Sequence, residues 1–149
     1  MSIYSYSKAV FFDLSLFCKS SQMTILLVEN SVLLIERLKE IIMESGEGVQ
    51  LHCTSKQIEA IEIFDRIDPD LVIMDAYLPG NQSTELFKKM KKSKPDVMVV
   101  ILCYKAVFMN FDCYIQKKAD FIIDKFHEFE SIPSLLKSIA QSINSIQPK

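Results

Sequence analysis

Glycine is scarce in this chain, with only Gly46, Gly48 and Gly80 among 149 residues. Neither a G-x-G-x-x-G turn nor a P-loop can be written with them, which nearly excludes the usual glycine-rich cradles for a nucleotide phosphate. The four cysteines lie far apart and form no C-x-x-C pair, so neither a zinc site nor a redox dithiol is indicated and reduced thiols are expected. A long apolar run is also missing. The patch AVFFDLSLFC near the start is interrupted by Asp13 and is too short to span a bilayer. It also lacks the clean apolar core and small-residue cleavage site of a signal peptide. No sign of charge is in large excess: the net charge of −2 gives no global pull towards nucleic acid. The two histidines, His52 and His127, are isolated and suggest neither a catalytic nor a relay histidine.

What is present suits one globular domain. An apolar fraction of 49% with 24% charged residues is that of a soluble, folded chain, and the length can bury a sizeable core. Residues 1–22 sit awkwardly against the regular pattern that follows and are expected to form an N-terminal extension, either loosely attached or docking on a partner or a membrane surface. Residues 23–149 are expected to form the domain proper.

From Thr24 apolar runs alternate with helical spacing. Thr24 to Val28, Leu71 to Met74 and Val97 to Leu102 are continuous apolar runs, the pattern of strands buried on both faces of a parallel sheet. Val49 to Cys53 and Asp120 to Asp124 supply two further strands. Ser31 is placed to cap a helix carrying Leu34, Ile35, Leu38, Ile41 and Ile42. Ser55 opens a second helix with Ile58, Ile61, Ile63 and Phe64 inward, ending before Asp68-Pro69. Ser83 to Ser93, Lys105 to Lys118 and Glu128 to Ile146 read as three more, with Pro133 in the first turn of the last. Five strands alternating with five helices predict an α/β fold: a doubly wound, five-stranded parallel sheet with helices on both faces.

In such sheets ligands bind outside the carboxyl ends of the strands. Those ends carry Glu29 and Asn30, Asp75, Cys103 and Lys125. In the flavodoxin-like order 2-1-3-4-5 they converge. Two carboxylates and an amide oxygen are hard ligands suited to Mg²⁺. Lys125 is a mobile cation suited to a phosphoryl oxygen, and the set points to phosphate on Asp75. Taken alone, Asp75 reads as a strand-end aspartate that caps the next turn, and it is the company at the other strand ends that points to chemistry.

Over about Met23 to Ile146 the chain resembles the response-regulator receiver domain of two-component signalling, through ILLVEN, DLVIMDAYLPG, VVILC and ADFIIDK. The resemblance implies Asp75 as phospho-acceptor, Lys125 as phosphoryl contact and Cys103 at the switch position. It places Glu29 and Asn30 on the acidic pair and adds the Tyr77 backbone carbonyl as a further Mg²⁺ ligand. A sensor histidine kinase or phosphotransfer protein is the implied donor and a downstream target protein the implied recipient. The implied setting is the cytoplasm, with no nucleic acid, no membrane span and no enzyme activity beyond the protein's own phosphorylation and dephosphorylation. A homodimer would use the surface of the fourth helix, fifth strand and closing helix. With only Gln147, Pro148 and Lys149 after Ile146, a stand-alone receiver is expected.

Three departures from the family pattern bear on function. Asn30 replaces the usual aspartate, which should weaken Mg²⁺ by roughly tenfold, about 1.4 kcal/mol. Cys103 replaces a serine or threonine, and a thiol is a weak donor. Ile122 stands where the family has an aromatic switch residue, and Phe126 follows Lys125 where proline is common, which disfavours a cis bond there. The alternative function is therefore a degenerate receiver that binds a partner without phosphorylation. A flavin carrier is disfavoured by the lack of a phosphate-binding loop. The lysines at 88, 89, 91, 92 and 94 read as a solvated helix face, and Phe108, Phe111 and Tyr114 as too many rings for one helix to bury.

Overall fold

The structure is a computed structural model and describes residues 22–46, 48–108 and 111–146. The expected extension, residues 1–22, lies outside them except for Gln22. The strands are β1 (Met23–Val28), β2 (Val49–Thr54), β3 (Leu71–Asp75), β4 (Met98–Cys103) and β5 (Phe121–Asp124). All pairings are parallel and the order is β2-β1-β3-β4-β5, so the expected fold class is observed. Every residue of β3 is buried, as its unbroken apolar run requires of a central strand.

The helices cover both faces. On one, α1 (Val32–Glu44) and α6 (Ile132–Ile146) bury Leu38, Ile42, Leu136 and Ile139 against Ile25, Leu27, Ile73 and Leu102. On the other, α2 (Gln57–Ile67) and α3 (Gln82–Ser93) bury Ile63, Phe64, Leu86, Phe87 and Met90 against Leu26, Val28, Val72 and Met74. Alternate residues of each strand thus feed opposite cores, the period-two rule of a sheet packed on both sides. Ser31 caps α1 as expected, its Oγ accepting from the Leu34 amide at 3.4 Å.

Four local expectations are corrected. The fourth helix is two short ones, α4 (Lys105–Phe108) and α5 (Cys113–Lys118). Asp112 starts the second by accepting from the Tyr114 amide at 2.7 Å, and the Gln116 amide group holds the join by donating to the carbonyls of Phe108 and Phe111. A short polar side chain that can cap competes well with helix continuation. Ile58 is 73% exposed and not inward, because α2 begins only at Gln57 and the inward stripe is Ala60, Ile63 and Phe64. Lys56, not Ser55, stands at the head of that helix, and the Thr54 hydroxyl accepts from its amide at 3.1 Å. The lysine run is only partly solvated. Lys91 pairs with Asp120 at 2.9 Å and Lys94 with Asp68 at 2.7 Å, while Lys88, Lys89 and Lys92 face solvent.

Candidate functional site

The register brings the strand ends level. Val28 pairs with Met74, Asp75 with Leu102, and Cys103 with Asp124. Ladder-like bonds continue past the strands: Glu29 donates its amide to the Thr54 carbonyl, Ala76 to Leu102 at 2.8 Å and Lys125 to Cys103 at 2.8 Å. The side chains of Glu29, Asp75 and Lys125 are thereby delivered to one edge by rigid backbone.

They meet at the Lys125 ammonium. Its Nζ lies 2.9 Å from Glu29 Oε2 and 2.9 Å from Asp75 Oδ1, and all three residues are buried. Burial acts to lower the lysine pKa, and the two carboxylates outweigh it, holding the ammonium above its ordinary value. Backbone amides hold one oxygen of each carboxylate. Glu29 Oε1 accepts from the amides of Asn30 and Ser31 at 2.8 and 2.9 Å, and Asp75 Oδ1 accepts from the Tyr77 amide at 3.0 Å. Asp75 Oδ2 accepts no hydrogen bond among the described residues.

The loop after β3 is set by Ser83, which the sequence reading missed. Its buried hydroxyl donates to the Asp75 carbonyl at 3.0 Å and accepts from the Leu78 amide at 2.9 Å. Gly80 lies in that loop at φ 71°, a left-handed conformation that favours glycine. The signal for Ser83 was its place at the head of a helix, where serine commonly bonds backbone rather than solvent.

The other expected residues are placed as follows. Asn30 stands exposed at the mouth, next in chain to Glu29. Cys103 is fully buried at the end of β4, and burial, then the negative Asp124, push its thiol up to about 11. It is a neutral, weakly donating group. Burial, with smaller contributions from Cys103 and Asp75, raises the Tyr77 phenol as well. The Lys125–Phe126 bond is trans. Tyr104 is the second residue missed: its ring centroid lies 5.3 Å from Lys125 Nζ. Its position just past a strand end, like that of Tyr77 and Phe126, was the available signal.

Among the described residues no three His, Cys, Asp or Glu side chains gather into a metal cluster. A divalent ion would therefore rest on two carboxylates and neutral oxygens. That donor set fits Mg²⁺, which takes one or two carboxylates with water and phosphate, and does not fit zinc. Both Glu29 oxygens are already engaged by donors, so Lys125 and a metal compete for the same negative charge.

A family model described as response regulator receiver domain matches residues 25–137. The chemotaxis protein CheY of Thermotoga maritima is 25% identical over 114 residues, covering 76% of this chain and 94% of that protein. Sporulation initiation phosphotransferase F of Bacillus subtilis is 32% identical over a shorter stretch of 56 residues, 38% of this chain and 45% of that one. A receiver domain protein from Clostridium thermocellum superposes with a TM-score of 0.71 at 17% identity, over 84% of this chain and 99% of that one, a likeness of fold. A chain from the complex of histidine kinase ThkA with response regulator TrrA gives 0.66 at 26% identity, over 78% and 97% of the two chains.

Proposed function

Because this chain belongs to the response regulator receiver domain family, we propose that it receives a phosphoryl group on Asp75 and signals through protein contacts. The observation that carries the reading is one lysine ammonium held 2.9 Å from each of two buried carboxylates at adjoining strand ends. A structural ion pair needs one carboxylate, whereas a lysine shared between two can exchange Asp75 for a phosphoryl oxygen and stay paired through Glu29.

The donor is a phosphohistidine of a sensor histidine kinase or phosphotransfer protein. An Asp75 carboxylate oxygen attacks phosphorus, the P–N bond breaks, and the imidazole leaves with the bonding pair. Backbone amides keep Glu29 and Asp75 oriented, so little reorganisation is needed at the moment of transfer. Lys125 follows the charge onto the transferred group. Mg²⁺, held by Asp75, Glu29, the Asn30 amide oxygen and the Tyr77 carbonyl, would neutralise further charge on the phosphoryl oxygens. The chain catalyses at most its own phosphorylation and dephosphorylation. The relatives named as a phosphotransferase and as part of a kinase complex support the choice of partner.

We take residues 23–149 as the receiver, residues 1–22 as an extension, and the unit as single-domain and cytoplasmic. The free thiols of Cys53, Cys103 and Cys113 are in keeping with a reducing compartment. No helix among the described residues is long and apolar enough to cross a membrane. Output passes to a target protein through the surface of α4, α5, β5 and α6, which is also the surface for a homodimer. A second reading, a phosphorylation-independent binding module, is favoured by Cys103: a buried thiol has no hydroxyl to draw towards the phosphate.

Intact mass after exposure to acetyl phosphate and Mg²⁺ separates the two. The receiver reading expects one added phosphoryl group, absent from Asp75→Ala and from samples treated first with a chelator. No adduct, together with no response of the site to Mg²⁺ titration, leaves the binding-module reading.

A further inference from the structure

Three aromatic rings from three different strand ends form a contact row beside the site's lysine. Tyr77 follows β3, Tyr104 follows β4 and Phe126 follows β5. Tyr104 is the centre of the row, 4.8 Å from Phe126 and 6.2 Å from Tyr77 between centroids, lying within 16° of parallel to Tyr77. Phe111 closes the far end, edge-on to Tyr77 at 5.4 Å. The Tyr104 ring stands 5.3 Å from the Lys125 ammonium that pairs with Asp75. Tyr77 is 37% and Phe126 76% exposed, so core packing does not account for the row. Large rings left at a surface forgo hydrophobic gain, and Tyr104 links this row to the buried Lys125 ammonium.

We propose that Tyr77, Tyr104 and Phe126 form an aromatic cover that steadies Lys125 and keeps water from a phosphoryl group on Asp75, so that the phosphorylated state decays slowly. This rests on the reading of Asp75 as acceptor. Decay requires a water oxygen to attack phosphorus while the P–O bond to Asp75 breaks. The bonding pair leaves with the carboxylate, the water's proton passes to solvent, and inorganic phosphate is released. Excluding water from the approach slows that step without altering the acceptor. Tyr104 is a positioning residue, since it acts through Lys125.

The full chain is phosphorylated with acetyl phosphate and Mg²⁺, the donor is removed, and loss of the added mass is timed. Tyr104→Ala should decay about tenfold faster, equivalent to about 1.4 kcal/mol of barrier. Phe126→Ala, whose ring is mostly exposed and whose loss spares the fold, should decay roughly threefold faster. Tyr104→Phe keeps the ring and should restore slow decay. Unchanged decay in both alanine variants overturns the cover, as does fast decay in Tyr104→Phe, which assigns the effect to the hydroxyl. If wild type takes up no phosphoryl group and Mg²⁺ titration leaves the site unchanged, the acceptor reading has failed, and the cover is judged by reductive methylation of Lys125 with formaldehyde and cyanoborohydride, mapped by peptide mass. Faster labelling in Tyr104→Ala than in wild type supports the cover; equal labelling overturns it.

Discussion

Two carboxylates keep Lys125 protonated against the pull of burial, and on the adjoining strand end Cys103 is neutral. Both follow from what surrounds them. The lysine faces two carboxylates, while the thiol is packed into apolar strand ends beside the negative Asp124. The Cys103 thiol, at about 11 in the fold against an ordinary 9.0, makes stability depend on alkaline pH. Below pH 9 the thiol is protonated in both folded and unfolded chains, and its contribution is fully present. Between pH 9 and 11 the unfolded chain ionises and the folded one does not, so stability falls as pH rises. The raised Lys125 acts in the same direction at higher pH. Urea midpoints measured at pH 8.5 and 10.5 should therefore drop less in Cys103→Ala than in wild type; equal drops would remove Cys103 from this account.

At the scale of elements, the unbroken apolar runs made β1, β3 and β4 readable, because a central parallel strand buries both faces and leaves no polar alternation to confuse it. Where those strands end was readable for the same reason, and with it the positions of Glu29 and Asp75, while Lys125 was placed by the shorter DFIID run before it. Helix starts were harder. Ile58 fits a helical stripe by spacing, yet it falls in the first turn of α2, before the stripe meets the sheet. The break between α4 and α5 depends on Asp112 and Gln116 bonding backbone, a choice that apolar spacing does not report. Ser83 and Tyr104 were missed because their roles are contacts across loops. Ser83→Ala strands the buried Leu78 amide and should cost about 1–3 kcal/mol. Ile58→Ala should cost under about 0.5 kcal/mol. Chemical denaturation of the two variants checks both the missed anchor and the corrected helix.

Across the whole molecule, two cores clamp one sheet, and chemistry is confined to the sheet's carboxyl edge. On the proposed reading, Asp75, Glu29 and Lys125 retain the family's chemistry at the strand ends, while Asn30, Cys103 and Ile122 depart from its pattern. Under the proposed function, the means of accepting phosphate would be better preserved than the means of reporting it. The most direct test is to locate the modified residue. After exposure to acetyl phosphate and Mg²⁺, borohydride converts an aspartyl phosphate to homoserine, and peptide mass spectrometry reads where the homoserine lies. Homoserine at position 75 and nowhere else is the expected result. Homoserine at another aspartate, with Asp75 unchanged, would contradict the assignment of Asp75 as acceptor.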